Sequence, residues 1–159
     1  MEKMQDLDFN VASSETLKSL EDVKEMVFST SFENHVTSRT VSTACKGATI
    51  VFLSYKNNTK CVQIKENPRV AICVGHFQVE GLATMRGLLK DKVNSAYSKI
   101  YKEKQERYFF KCKDKENMDL ITVDIDFITC YGPLGKHYVN KIDFLKRKAY
   151  RIDITTIQD

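Results

Sequence analysis

The 159-residue sequence predicts a mainly β protein, a small antiparallel β-barrel, closed or split, with helices at its flanks. Three observations predict this fold class. About six short stretches are rich in β-branched and aromatic residues, turn residues separate them, and only three stretches have helical spacing of apolar residues. A barrel with antiparallel pairing in consecutive steps would leave no exposed sheet edge. We expect residues 1–159 to form a single domain, because one domain is usual at this length.

The first part of the chain is predicted to hold one helix and three strands. Ser14 is a suitable N-cap for a helix that ends near residue 24. Its apolar residues have roughly helical spacing: Leu17, Leu20, Val23 and Val27. Strands are predicted at residues 26–32, 36–44 and 48–53, with turns at 33–35 and 46–47.

The remaining elements are two helices and the other strands. A short helix over 59–66 ends at Asn67, because Pro68 disfavours a helical conformation in the residue before it. Asp91 is a fit N-cap for a helix over 91–106, whose apolar residues recur at helical spacing. The predicted strands lie at 69–75, 78–88 and 121–128, the last of them ended by Gly132 to Gly135, and an extended segment with a hairpin around 146–148 follows.

The strand over 121–128 alternates apolar and polar residues, which predicts one buried face and one hydrated face. Asp124 and Asp126 fall on the hydrated face. Two carboxylates at this spacing are a candidate acid–base pair. Acidic residues on an exposed strand face are more often only hydrated surface, and we prefer that interpretation.

Composition and charge exclude several classes of protein. No apolar run approaches the roughly 20 residues that span a bilayer. The acidic N-terminus lacks an apolar signal core, so we expect a cytoplasmic protein with no membrane partner. The net charge of +4 comes partly from short basic runs, and no nucleic-acid-binding motif accompanies them. We therefore expect no nucleic-acid partner.

The cysteines and histidines form no recognisable site. The five cysteines are widely spaced without a C-x-x-C pair: Cys45, Cys61, Cys73, Cys112 and Cys130. In a cytosolic protein, this pattern indicates free thiols or small buried hydrophobic residues. His35, His76 and His137 do not cluster in sequence, so we predict no metal site and name no catalytic residue.

Polar residues between the predicted third strand and the following helix form a candidate anion site. Ser54 ends the strand, and Thr59 and Lys60 begin the helix, whose N-terminus offers unpaired N–H groups and a favourable dipole. Arg39 lies mid-strand, where a long cation is out of place unless it is hydrated or paired. Together these groups would bind a phosphate monoester. Alternatively, Asn58 or Thr59 only caps the helix and Arg39 reaches solvent, and the residues alone leave both interpretations open.

Three segments in this order resemble the FMN-binding split barrel of the pyridoxamine 5'-phosphate oxidase superfamily, especially its general stress protein and nitroimidazole resistance-like branch. The segments are R-T-V-S at 39–42, I-V-F-L-S at 50–54 and the stretch 59–72. The most specific part is K-x-x-Q-I-x-x-N-P-x-V at 60–70. The resemblance extends over residues 24–144.

The resemblance implies a six-stranded antiparallel split β-barrel that binds FMN. It implies phosphate contacts by Arg39, Ser54, Thr59 and Lys60. It places the isoalloxazine ring against the backbone of Thr40, Val41, Ser42 and Leu53, with a further contact from Gln78. It also implies a homodimer with FMN at the subunit interface.

The implied function is that of an FMN-dependent oxidoreductase of undefined substrate. True pyridoxamine 5'-phosphate oxidases carry a C-terminal motif with arginine and tryptophan. This chain has no tryptophan, and its tail from residue 144 to 159 does not supply the motif, so that particular activity is not expected. Two other interpretations stay open. One is a flavin-binding or stress-response protein without turnover, and the other is a haem-binding split barrel with His76 or His137 as axial ligand.

Overall fold

The computed structural model describes residues 4–134 and 136–154, whose strands form one antiparallel sheet. The strands are β1 (Met4–Leu7), β2 (Glu25–Phe32), β3 (His35–Lys46), β4 (Thr49–Tyr55), β5 (Arg69–Val74), β6 (Phe77–Met85), β7 (Met118–Tyr131), β8 (Tyr138–Asp143) and β9 (Lys148–Asp153). Strands β2 to β7 close into a six-stranded barrel, because β6 pairs with β7 at the end of the order β7-β4-β3-β2-β5-β6. The predicted barrel with flanking helices is confirmed.

The barrel consists of two three-stranded meanders, β2–β3–β4 and β5–β6–β7. We had expected consecutive pairing throughout, and this expectation was wrong. β2 pairs with β5, and β4 pairs with β7, so that each meander satisfies the edges of the other. Helix α2 (Thr59–Glu66) carries the chain from one meander to the next, and its bounds agree with the prediction.

The first helix, α1 (Phe9–Glu21), begins earlier than predicted. The Asp8 carboxylate accepts a hydrogen bond from the Val11 N–H at 2.9 Å and is the N-cap. Ser14 lies inside the helix, so its assignment as the cap was wrong. α1 packs beside the β8–β9 hairpin, where the rings of Phe9 and Phe144 meet edge to face at 5.7 Å.

The predicted helix over 91–106 is interrupted. Asp91 precedes a 3₁₀ turn, Lys92–Asn94, and two helices follow, α3 (Ser95–Lys104) and α4 (Glu106–Cys112). The break falls at Gln105, whose side-chain amide donates to the carbonyls of Lys24 at 2.7 Å and Thr43 at 2.8 Å. This contact connects the α3–α4 junction to the barrel, and no local sequence pattern predicts it. In the described part of the chain, no helix has the length and apolarity that a membrane crossing requires.

The C-terminal hairpin predicted around residues 146–148 is confirmed as β8 and β9. β1 was not predicted, because four mostly exposed residues carry no apolar alternation. It becomes a strand by pairing with β9. Gly135 of the predicted turn, and residues 155–159 of the tail, lie outside the described residues.

A β-bulge overturns the predicted faces of β7. Glu80 of β6 faces Phe127, whereas Gly81 faces Ile125, so Asp126 is the extra residue. The side chains on either side of the bulge therefore change face, and both Ile125 and Ile128 are buried.

The bulge separates the two carboxylates that the sequence placed together. Asp124 is exposed, as predicted. Asp126 is only 8% exposed and forms an ion pair with Arg69, so its assignment to a hydrated face was wrong. The two carboxylates do not form an acid–base pair on a common face.

Two apolar cores lie on opposite sides of β3 and β4. The barrel interior contains Ile50 and Phe52 of β4. The second core lies outside the barrel wall, where α3 and α4 cover it. Its buried members are Ala44, Val51, Leu89, Tyr101 and Leu120. β3 and β4 thus pack against apolar side chains on both faces.

Candidate functional site

The barrel wall is split between β3 and β4. Their pairing extends only from Thr43 to Lys46 against Thr49 to Phe52. Beyond that point β3 continues beside β2, and β4 continues beside β7. The backbones of residues 40–42 and 53–55 consequently face a gap and not each other.

A cleft of about 210 Å³ occupies this gap, which we call the β3–β4 cleft. Its lining residues are Thr40, Val41, Ser42, Leu53, Ser54, Tyr55, Asn58, Lys60, Tyr101, Tyr108 and Met118. The structure thus brings together six of the predicted site residues, namely Thr40, Val41, Ser42, Leu53, Ser54 and Lys60. Sequence reasoning missed Tyr101 and Tyr108, because they reach the cleft from α3 and α4 through long-range packing.

Lys60 lines the cleft from the first turn of α2. Its Nζ donates to Ser54 Oγ at 3.0 Å, so the predicted hydroxyl and ammonium do meet. Burial lowers the pKa of Lys60, and the nearby positive charge of Arg39 lowers it further, although the Cys61 thiol acts in the opposite direction.

Arg39 is held on the interior side of β2 and β3. Its guanidinium donates to the Phe28 carbonyl at 3.2 Å, to Thr30 Oγ1 at 2.8 Å, and to Thr37 Oγ1. Burial lowers the pKa of Arg39 as well. Arg39 does not line the β3–β4 cleft directly, but its positive charge contributes to the lowered pKa of Lys60.

Arg39 and Lys60, hereafter the cation pair, lack a counter-charge. Among the residues that the structure describes, neither has a carboxylate within 4.0 Å, whereas six other lysines and arginines do. Two neighbouring, partly desolvated cations repel each other unless an anion joins them. The arrangement therefore favours an anionic ligand.

The start of α2 supplies further donors. Asn58 is the N-cap, but its side chain makes no capping bond and lines the cleft instead. The Cys61 and Val62 amides donate to the Asn58 carbonyl. Within the described residues, the amides of Thr59 and Lys60 have no protein acceptor. The Thr59 side chain is exposed and does not line the cleft, so in this chain its contribution is its backbone N–H.

The most specific sequence block, K-x-x-Q-I-x-x-N-P, has a structural explanation. Lys60, Gln63 and Asn67 follow one another at helical spacing along α2 and its C-cap. Gln63 Nε2 donates to the His35 carbonyl at 2.9 Å, and Asn67 Nδ2 donates to the Ser31 carbonyl at 3.1 Å. These two amides tie α2 to the β2–β3 hairpin and thereby hold Lys60 beside Arg39.

Gln78 lies elsewhere in this chain. It is exposed on the outer face of β6, where its Nε2 approaches Glu80 Oε1 at 3.4 Å. It lines separate cavities together with Ser29 and Ala71. The fold of a single chain does not bring Gln78 to the β3–β4 cleft.

The histidines also lie away from the cleft. None of His35, His76 and His137 lines it. The His76 ring packs on the Phe77 ring at 4.3 Å beside an outer cavity of the barrel, and His137 is exposed. All five cysteines are free thiols, and three of them are buried, in agreement with the prediction.

Solved structures with the same architecture identify the fold. General stress protein 26 of Bacillus anthracis is 19% identical, with 72% of this chain and 89% of that chain covered and a TM-score of 0.58. A pyridoxamine 5'-phosphate oxidase-related, FMN-binding protein of Nostoc punctiforme is 13% identical, with 92% and 95% covered and a TM-score of 0.60. The chain has the split-barrel fold of the pyridoxamine 5'-phosphate oxidase-like proteins.

The same fold binds more than one cofactor. A haem-binding protein of Mycobacterium smegmatis is 10% identical, with 82% of this chain and 56% of that chain covered and a TM-score of 0.66. No protein-family model matches the sequence, and no curated protein is similar enough in sequence to match it. The fold alone therefore does not identify the ligand, which has to be inferred from the residues of this chain.

Proposed function

We propose that this split-barrel protein binds FMN in the β3–β4 cleft, with the phosphate against the cation pair and the first turn of α2. The observation that carries the proposal is the cation pair itself: Lys60 in the first turn of α2 and Arg39 on β3 are both partly buried, and neither has a carboxylate partner among the described residues. A phosphate monoester supplies the missing negative charge and accepts from the free amides of Thr59 and Lys60.

The wall of the cleft suits the flavin ring. Thr40 to Ser42 pair with β2 and Leu53 pairs with β7, but on the side of the gap they have no strand partner, so the backbone N–H and C=O groups that point into the gap are available to the polar edge of an isoalloxazine. Tyr108, which is 48% exposed, adds aromatic surface, whereas Tyr101 lines the cleft but is almost fully buried. The phenol of Tyr101 is buried, which raises its pKa and keeps it neutral.

FMN supplies redox chemistry when it is bound, and the chain binds and orients it. The proposed function is that of a flavoprotein oxidoreductase of undefined substrate. The alternative is a flavin-binding protein without turnover. Reduction of the bound flavin by a nicotinamide donor distinguishes these two functions. Anaerobic NADH or NADPH should bleach the flavin absorbance of the loaded protein, and an acceptor should restore it faster than with free FMN. Absence of bleaching with both donors would favour the non-catalytic alternative.

The first prediction is that FMN binds far more tightly than riboflavin, which lacks the phosphate. Charge-assisted hydrogen bonds to the phosphate are about twice as strong as neutral ones, so much of the affinity depends on them. Titration of the purified protein with each flavin, followed by flavin fluorescence, measures both dissociation constants. Equal constants would contradict the proposed phosphate position, and tight binding of haem in place of either flavin would favour the haem-binding interpretation.

The second prediction concerns pH. The pKa of Lys60 is lowered in the free protein, and a bound phosphate should raise it. At a pH above the Lys60 pKa of the free protein, Lys60 is mostly neutral and has to take up a proton when FMN binds. FMN affinity should therefore fall as pH rises, by up to about tenfold per pH unit, beginning below the usual titration range of lysine. Lys60→Arg keeps its charge at all these pH values and should give a flatter profile over the alkaline range, above the second pKa of the FMN phosphate. Parallel profiles for the two proteins would show that Lys60 does not contact the phosphate.

The third prediction is a homodimer. The outer face of β2, β5 and β6 is exposed and carries Gln78 beside apolar Val27 and Leu82, which are 41% and 40% exposed. We propose that a second copy covers this face and that each copy contributes Gln78 to the flavin of the other. Light scattering during gel filtration should give twice the mass of the 18.3 kDa chain. A monomer that still holds FMN would contradict the shared site.

A further inference from the structure

A buried polar network lies behind Arg39 and is centred on Gln63, which is 4% exposed. Gln63 Oε1 accepts hydrogen bonds from Thr30 Oγ1 at 2.5 Å and from Thr37 Oγ1 at 2.7 Å. The same two hydroxyls accept from the two terminal nitrogens of Arg39. The threonines thus connect the amide of α2 to the guanidinium on β3.

The two ends of this network are the His35 carbonyl and the Arg39 guanidinium, and together they determine the direction of its hydrogen bonds. The His35 carbonyl can only accept, so the Gln63 amide must present its nitrogen to His35 and its oxygen to the threonines. The Arg39 guanidinium can only donate. Each threonine hydroxyl therefore gives its single hydrogen to Gln63 and turns a lone pair toward Arg39. If Gln63 did not accept, the hydroxyl hydrogens could turn elsewhere, for example from one threonine toward the other at 3.4 Å, and the lone pairs would no longer be directed at Arg39.

The network also determines which donors of Arg39 remain. A guanidinium has five N–H groups. Nη1 donates to the Phe28 carbonyl and to Thr30, and Nη2 donates to Thr37. Three of the five are therefore engaged, and two have no acceptor among the described residues. These two N–H groups are the donors that Arg39 retains for a ligand.

We propose that Gln63 is a positioning residue, which acts through the Thr30 and Thr37 hydroxyls to aim the free N–H groups of Arg39 at the phosphate. It thereby sets the preference for phosphorylated over unphosphorylated flavin. The inference rests on the proposed function and adds to it three residues, Gln63, Thr30 and Thr37, that act on the phosphate only through Arg39. It also gives the glutamine of the K-x-x-Q block a role in specificity beyond anchoring α2.

The test uses isosteric variants of the two threonines. Thr30→Val and Thr37→Val keep the side-chain shape and remove the hydroxyl, whereas Thr30→Ser and Thr37→Ser keep the hydroxyl. Each valine variant should lose about two- to tenfold in FMN affinity, the equivalent of one hydrogen bond, with riboflavin affinity unchanged. Each serine variant should keep the parent ratio of the two affinities. Gln63→Met should lower the ratio at least as much as either valine variant.

Ser38→Ala is the matched control. Ser38 lies between Thr37 and Arg39 on β3, but its side chain is exposed, and its Oγ lies 2.7 Å from Ser29 Oγ and is bonded to neither Arg39 nor Gln63. Its replacement should leave the ratio of FMN to riboflavin affinity unchanged. A parent ratio in both valine variants, or an equal loss in Ser38→Ala, would overturn the inference while leaving FMN binding established. The ratio is insensitive to a general loss of folded protein, because that loss lowers both affinities together.

A second measurement needs no flavin. In the ligand-free protein, the ¹⁵N-labelled Nη1–H and Nη2–H signals of Arg39 that donate to Thr30 and Thr37 should be protected from solvent exchange in the parent and in the serine variants. The Nη1 signal should exchange faster in Thr30→Val, and the Nη2 signal should exchange faster in Thr37→Val. If the parent does not bind FMN, the proposed function fails, and these signals alone then decide whether Gln63 holds Arg39. Equal protection in parent and valine variants would overturn that role.

Discussion

Replacing Lys60 or Arg39 with alanine is expected to weaken FMN binding by about ten- to more than a hundredfold in each case. The loss of one charge-assisted hydrogen bond to the phosphate costs about 1.5–3 kcal/mol, which gives this range of affinities. Both side chains are partly exposed, and neither belongs to an apolar core, so the fold should persist. Fluorescence titration measures the affinity, and circular dichroism checks the fold.

The control for both alanine variants is Lys65→Ala. Lys65 lies on the same helix, α2, and carries the same charge, but it is exposed and does not line the β3–β4 cleft. Its replacement should change FMN affinity only through weak, salt-screened attraction. If Lys60→Ala and Arg39→Ala bind FMN as the parent does, the phosphate lies elsewhere. A loss of the same size in Lys65→Ala would attribute the effect to overall charge and not to the cation pair.

Gly81→Ala is expected to be among the most destabilising single substitutions in this barrel. Gly81 is buried in β6 at the bulge opposite Ile125. An added Cβ would collide with the carbonyl oxygen of Asp124 and would lie 2.9 Å from Val123 Cγ1. The collision is with backbone that cannot move without opening the β6–β7 closure, so the free energy of unfolding should fall by about 1–3 kcal/mol or more. Urea denaturation measures this change.

Thr84→Ala on the same strand is the control for the close approach. Thr84 is exposed and lies beyond the bulge, so its replacement should change the free energy of unfolding by less than about 0.5 kcal/mol. A Gly81→Ala protein as stable as the parent would mean that β6 and β7 approach less closely than the structure shows. Comparable destabilisation by the two variants would point to a general sensitivity of β6.

Much of the split-barrel fold and of its cleft follows from local sequence. α2 begins and ends where predicted, because Pro68 stops it and the apolar run before it is a strand. The β2–β3 turn is predictable from Asn34, a residue that tolerates the left-handed backbone found there. Ser54 was predicted from the residues, whereas Thr40 to Ser42 and Leu53 were predicted only from the family resemblance, and all of them line the cleft.

The tertiary structure alone decided what depends on distant partners. The alternation in β7 gave no sign that Asp126 would bulge inward, because the bulge is defined by the register with β6. The break at Gln105 depends on carbonyls of Lys24 and Thr43, far away in the chain. Tyr101 and Tyr108 reach the cleft only because α3 and α4 pack over the outer face of β3 and β4.

For the site itself, the sequence determined the chemistry and the fold determined the geometry. Residue type and position make Arg39 and Lys60 a candidate anion site, since a mid-strand arginine and a lysine in the first turn of a helix are both suited to negative charge, but only the family resemblance favoured this interpretation over a simple helix cap. Their proximity, their lack of a carboxylate partner and their partial burial follow only from the tertiary structure, which brings α2 against β2 and β3. The physical reason is that residue type fixes charge and hydrogen-bonding capacity locally, whereas desolvation and neighbouring charge depend on contacts between segments far apart in the chain.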